Sequence, residues 1–263
     1  MTDVSLGSMI MEDTGPRSDG APAVVMVHGL GGDSNSFQTL MPALEGYRVL
    51  RPDLPGAGRS PIRPGRPGIQ GMADNVLGAL RAAGVARAHF VGHSMGTLVC
   101  QYIAARHPEC VVSLTLLGPI LEPPIAARAG LKDRAAAARA GGMAGIADAV
   151  AQGSVSEASR KANPVVPAFV RESLMRQDPR GYAEHCLALS AAEPANHGAI
   201  TAPTLLVAGS VDPVAPVAMG KALAEAIQGA RLEVIPDVAH WMMMEAPGRT
   251  ATLVKEHLEA AAP

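Results

Sequence analysis

The chain is poor in three features that would each point to a particular partner. Aromatic residues make up 3% of its 263 positions, too few to build the stacking platforms that grip nucleobases. Its three cysteines, Cys100, Cys110 and Cys186, are unevenly spaced and match neither a metal-ligand spacing nor a disulfide framework; they read as structural thiols of a reducing compartment. Charge of one sign is not in excess either. Lys and Arg number 22 against 24 Asp and Glu, a formal net charge of −2, and no basic run occurs. That balance excludes an electrostatic nucleic-acid surface. No window approaches 18 uninterrupted apolar residues, so no membrane-spanning helix is expected. Residues 1–20 carry Asp3, Glu12, Asp13 and Asp19 without a long apolar stretch, unlike a signal peptide. The expected location is the cytoplasm.

What is present is apolar material, 48% of the chain against 17% charged, enough for a sizeable core. The length suits one large α/β domain or one core with an insertion. Apolar runs at 23–27, 48–50, 88–91, 111–117, 204–208 and 232–235 read as buried strands. Helical spacing covers 71–83, 97–107, 218–227 and 249–260. Strands alternating with helices predict a mostly parallel sheet covered on both faces. Residues 120–199 break the rhythm, being rich in Ala, Gly and Arg with no convincing strand. They read as a helical insertion, which divides the chain into a core of 1–119 and 199–263 and a cap of 120–198. An insertion at that point lies over the carboxyl ends of the strands, where ligands bind in open α/β sheets.

The chemistry centres on Gly92-His93-Ser94-Met95-Gly96. Gly-x-Ser-x-Gly with a strand before it and a helix after it is the sharp turn that lifts a serine hydroxyl above a sheet. A serine becomes nucleophilic only when a base removes its proton and a third group supports that base. Asp212 leaves the strand at 204–208, and His240 follows the last strand. Glu122, after the 111–117 strand, is the rival acid, and His28 and His93 are the rival bases. Asp53 reads as stabilising its own loop and Asp237 as facing solvent.

These motifs, together with His28-Gly29-Leu30-Gly31-Gly32, the loop 53–60 and the run from His240 through Glu245 to Pro247, resemble the α/β-hydrolase fold serine hydrolases over essentially the whole chain. The resemblance implies Ser94 as nucleophile, Asp212 as orienting acid and His240 as general base. It also implies an oxyanion hole built from the backbone amides of Leu30 and Met95, with both side chains lining the acyl pocket. A serine nucleophile, rather than the aspartate of related haloalkane dehalogenases and epoxide hydrolases, points to carbonyl substrates. No cofactor or metal is implied, since no Gly-x-Gly-x-x-Gly, Walker loop or ligand cluster occurs.

Within the insertion, Gly142-Met143, the segment 147–150 and the segment 178–186 are similar to the cap of 3-oxoadipate enol-lactonases. Those caps carry an Arg-Trp pair just beyond Ala-Asp-Ala-Val, and here Gln152-Gly153-Ser154 stands in its place. An arginine is the natural partner of a free carboxylate, so the expected partner is a small, largely apolar ester or lactone. The alternatives are the enol-lactonase proper, an acyltransferase, perhydrolase or C–C bond hydrolase using the same residues, and a non-catalytic ligand receptor.

Overall fold

Eight strands form one sheet in the computed structural model, which describes residues 2–6, 9–17, 21–62 and 68–261. In chain order they are β1 (Thr2–Leu6), β2 (Met9–Thr14), β3 (Ala23–Val27), β4 (Arg48–Pro52), β5 (Ala88–His93), β6 (Val111–Leu117), β7 (Thr204–Gly209) and β8 (Arg231–Ile235). Their spatial order is β1-β2-β4-β3-β5-β6-β7-β8. β1 pairs with β2, and β2 with β4, antiparallel, whereas every pair from β4 to β8 is parallel. All six expected strands are present. The first two were not expected, and β2 shows why. Glu12 and Asp13 interrupt its apolar character, yet both are buried and paired with Arg51 and Arg48 of β4.

The central strands are buried on both faces, which is the signature of a parallel sheet between helical layers. Alternation along β3 makes the two layers visible. Val25 and Val27 join Phe90, Leu114 and Leu206 on one side, under the helices α1 (Ile69–Ala82) and α2 (Met95–Arg106). Val24 and Met26 join Val91, Leu117 and Leu205 on the other. There they pack against the 3-10 helical segment Ser34–Leu44 and the C-terminal helix Pro247–Ala260.

Between β6 and β7 the chain is helical: α3 (Ile125–Gly141), α4 (Ala144–Gly153), α5 (Glu157–Ala162), α6 (Val165–Met175) and α7 (Pro179–Ser190). These helices rest on the loops at the carboxyl ends of the strands. Ser173 Oγ donates to the Gly31 carbonyl at 2.8 Å, and His185 Nε2 bonds the Pro55 carbonyl at 2.8 Å. Between β7 and β8 lies α8 (Val217–Ala226), and α9 (Met242–Glu245) and α10 (Pro247–Ala260) follow β8. Among the described residues, no helix is long and apolar enough to cross a membrane.

Candidate active site

β5 runs directly into Ser94, and α2 starts one residue later. The turn is tight enough to hold Ser94 at φ 53° and ψ −121°, in the left-handed half of backbone space that side chains avoid. Glycine makes the close approach possible at two points. A Cβ on Gly96 would lie 2.1 Å from the Val27 carbonyl oxygen, and one on Gly29 would lie 2.7 Å from Ser94 Cβ. Any side chain at either place would push the loop after β3 away from the serine.

Ser94, Asp212 and His240 come from the carboxyl ends of three different strands and meet. Ser94 Oγ donates to His240 Nε2 at 2.8 Å, and His240 Nδ1 donates to Asp212 Oδ2 at 2.8 Å. All three are buried. Asp212 Oδ1 accepts the amides of Val214 at 2.7 Å and Ala215 at 3.0 Å. Burial alone would push the Asp212 carboxyl upward. The neighbouring His240 and these amides outweigh burial and hold it below the usual carboxylate value. The acid that carries the imidazole is therefore ionised at neutral pH.

The rivals have other partners. Glu122 is exposed and paired with Arg128 at 3.1 Å. His28 accepts the Leu54 amide at Nε2, 2.9 Å, so its Nδ1 carries the proton and donates to the Gly29 carbonyl. His93 Nε2 donates to the His240 carbonyl at 2.9 Å, and burial pulls its imidazole down to about 3. It is a neutral pillar under the His240 loop. Asp53 accepts the Ser34 amide at 2.8 Å and the Arg59 side chain at 2.9 Å, tying the loop after β4 to the loop after β3. Asp237 is exposed.

The two expected oxyanion residues flank the serine. Met95 opens α2, so its amide belongs to the first helical turn, whose N–H groups lack intrahelical acceptors and concentrate partial positive charge. Leu30 lies in the loop after β3. Its side chain lines the cavity above Ser94, as expected. The Met95 side chain does not. It is fully buried in the core beneath the sheet's edge of the cavity, because the first turn of α2 directs it into the layer of Leu98 and Val99. That cavity is about 270 Å³, a volume for a small ligand. Leu30, Ile120, Leu131, Val150 and Trp241 give it apolar walls, with Ser94 and His240 in its floor and Arg134 and Tyr182 on its sides. Among the described residues, no group of three or more His, Cys, Asp or Glu converges as a metal site.

The sequence profile of the α/β hydrolase fold family matches residues 22–247. The chain belongs to the α/β-hydrolase fold family. It is 30% identical to the 3-oxoadipate enol-lactonase 1 of Acinetobacter baylyi, over 91% of this chain and 89% of that one. Among solved structures it is similar to an enol-lactonase from Burkholderia xenovorans, with a TM-score of 0.91 at 30% identity, covering 98% of this chain and 100% of that one. A thermophilic esterase from Thermogutta terrifontis in its malate-bound form gives 0.92 at 25% identity, with each chain wholly covered. Similarity to esterases and lactonases over the full length makes this family member a hydrolytic enzyme.

Two features of this α/β hydrolase escape a reading of its sequence. Glu245 lies in the run from His240 to Pro247 with no local signal of a role, and its carboxylate clamps the loop that holds His240. It accepts the amides of Ala239 at 3.2 Å and Trp241 at 3.1 Å, on either side of the histidine, and that of Ser156 at 2.9 Å. The missing Arg-Trp pair is the second. Ser154, in its place, accepts the indole N–H of Trp241 at 2.9 Å, while the arginine in the cavity is Arg134 from α3. The expectation of a small, largely apolar ester or lactone rested on the absence of that pair from residues 152–154, yet the cavity is not without such side chains. A tryptophan and an arginine both reach the cavity, each from a part of the chain remote from residues 152–154.

Proposed function

We propose that the protein is a serine hydrolase that cleaves a small carboxylic ester or lactone through an acyl-enzyme on Ser94. The single observation that carries this reading is the unbroken chain of short hydrogen bonds from Ser94 Oγ through His240 to Asp212 in the floor of a cavity. Ser94 Oγ attacks the carbonyl carbon while His240 Nε2 takes its proton, and the ionised Asp212 stabilises the imidazolium that forms. The amides of Leu30 and Met95 receive the negative charge on the carbonyl oxygen. Collapse of the tetrahedral species expels the alcohol, which leaves with the proton from His240. Water then gives its proton to His240, attacks the acyl carbon and releases the acid, returning Ser94 to its starting state.

In this reading residues 120–198 act as a cap over a core of 1–119 and 199–263, and the cap's inner surface sizes the acyl pocket. Residence in the cytoplasm belongs to the same reading, supported by cysteines that form no disulfide and of which Cys100 and Cys186 are buried. A second reading, 3-oxoadipate enol-lactonase itself, is favoured by the lactonase relatives and by the arginine in the cavity.

The test is hydrolysis of a p-nitrophenyl ester series of increasing acyl length beside 3-oxoadipate enol-lactone, in wild type and Ser94→Ala. The expected outcome is turnover with a short-acyl optimum that falls by about 10³-fold or more in Ser94→Ala. Near wild-type hydrolysis by Ser94→Ala would refute the serine mechanism. Lactone turnover far above that of every ester would select the second reading.

A further inference from the structure

The turn that carries the Leu30 amide has almost no side chains of its own to hold it. Gly29, Gly31 and Gly32 surround Leu30, and glycine loses the most backbone freedom on being fixed. The Gly32 amide donates to the Gly29 carbonyl at 3.1 Å and closes a β-turn, with Gly31 at φ 77° in its third position. One side of this turn meets Ser94. The end of α6 lies against the other, where a Cβ on Gly31 would stand 2.9 Å from Leu174 Cγ. Ser173 Oγ donates to the Gly31 carbonyl at 2.8 Å, and Ser173 and Gln177 are both buried. Gln177 Nε2 donates to the Ser173 carbonyl at 3.0 Å and lies 3.4 Å from the Gly32 carbonyl. Its Oε1 accepts the Gly58 amide at 3.1 Å, and Arg176 pairs with Asp33 at 2.9 Å.

Peptide planarity turns these contacts into control of one N–H. The Gly31 carbonyl and the Gly32 amide belong to one rigid peptide plane, and the Gly29 carbonyl and the Leu30 amide to another. Ser173 fixes the first plane through its oxygen. The N–H of that plane bonds the Gly29 oxygen of the second, which also accepts His28 Nδ1 at 2.8 Å. The direction of the Leu30 N–H is therefore set, through two planes, from a hydroxyl on α6. Ser173 and Gln177 do not line the catalytic cavity, so they act on a substrate only through this turn.

We propose that Ser173 and Gln177 are positioning residues for the oxyanion hole, so that the helices between β6 and β7 govern the chemical step as well as the shape of the pocket. This rests on the reading of Ser94 as nucleophile and of the Leu30 amide as oxyanion donor. Without the Ser173 hydroxyl the turn keeps its glycines and loses the anchor of its first plane. The Leu30 N–H then samples other directions, and the charge that develops on the carbonyl oxygen meets a weaker donor. The cavity walls stay in place, so the loss falls on kcat rather than on KM.

Exchange of oxygen for sulfur at the reacting carbonyl tests this directly. p-Nitrophenyl butyrate and its thiono analogue release the same phenol, but sulfur accepts hydrogen bonds weakly and gains little from an oxyanion hole. The expected result is a wild type that prefers the oxo ester. The oxo-to-thiono ratio of kcat/KM should fall about tenfold in Ser173→Ala and several-fold in Gln177→Ala, with KM for the oxo ester held within about twofold. Poor folding lowers both substrates alike and leaves the ratio unmoved. Arg171→Gln, on the same helix but bonded to Asp148 instead of the turn, should keep the wild-type ratio. An unmoved ratio in Ser173→Ala, or an equal fall in Arg171→Gln, would overturn the proposal. Should wild type hydrolyse neither ester, the serine-hydrolase reading fails separately. Amide hydrogen exchange across residues 28–34 then decides whether α6 holds the turn, which is upheld by faster exchange in Ser173→Ala than in wild type and overturned by equal exchange.

Discussion

Ser94 occupies a backbone conformation, φ 53° and ψ −121°, that a Cβ makes costly. Residues held in such regions store about 1–3 kcal/mol each and persist where the surroundings over-determine them. Here the surroundings are the Gly29 and Gly96 contacts and the Ser94 amide, which donates to the Leu117 carbonyl at 2.9 Å. The strain holds the hydroxyl proud of the sheet and 2.8 Å from His240. Its size is measurable by comparing two inactive variants that both lack the hydroxyl. Ser94→Gly should melt above Ser94→Ala, by about 2–4 °C if about 1 kcal/mol of strain is released. Equal melting temperatures, or a more stable alanine variant, would mean that the turn is relaxed.

At the scale of elements, the site depends on how loops are held more than on the strands that end in them. The turn after β8 carries His240, and its geometry is fixed from two directions: the His93 ring beneath, and the Glu245 carboxylate at the end of α9. Glu245 touches no reacting atom in this arrangement. It is a positioning residue. Glu245→Ala should lower kcat about tenfold or more through displacement of His240, with a smaller effect on KM, and Glu245→Gln should restore part of the loss because it keeps one acceptor oxygen. Unchanged kcat in a folded Glu245→Ala would remove it from this role.

The same scale explains what could be read from the sequence. Ser94, Asp212 and His240 were legible because each follows an apolar run and sits in a turn-rich segment with local chemistry of its own. β2 was not, because Glu12 and Asp13 are charged residues whose partners, Arg51 and Arg48, arrive from a strand 39 and 35 residues further on. Arg134 and Tyr182 were not, because an alanine-rich segment announces a helix without announcing which face meets the cavity. Met95 was read as pocket-lining from its place next to the nucleophile, where the rotation of α2 instead points it into the core.

Over the whole molecule, burial of histidines ties stability to pH. His89, His93 and His185 lie in the interior, and burial pulls their imidazoles from an ordinary 6.5 down to about 4, about 3 and about 4. Between pH 6.5 and about 4 the folded protein therefore binds fewer protons than the unfolded chain, so stability must fall as pH falls through that window. Asp212 acts in the same direction at lower pH. Its carboxyl is held below the ordinary 3.8, so the stability that it contributes is present above that value and lost as pH drops through its folded value. The expected observation is a melting temperature that declines steadily from pH 6.5 to 4, with a shallower decline in His89→Gln. A melting temperature that is flat across this range would show that these imidazoles are not held neutral by the fold.

The central claim is that Ser94 carries the acyl group. Rapid acid quench of the enzyme with p-nitrophenyl butyrate, followed by intact-protein and peptide mass spectrometry, tests it most directly. The account predicts a transient mass increase equal to one butyryl group, located on the peptide that contains Ser94 and absent in Ser94→Ala. Ester turnover with no acylated species at any quench time, or with the acyl group on another residue, would contradict it.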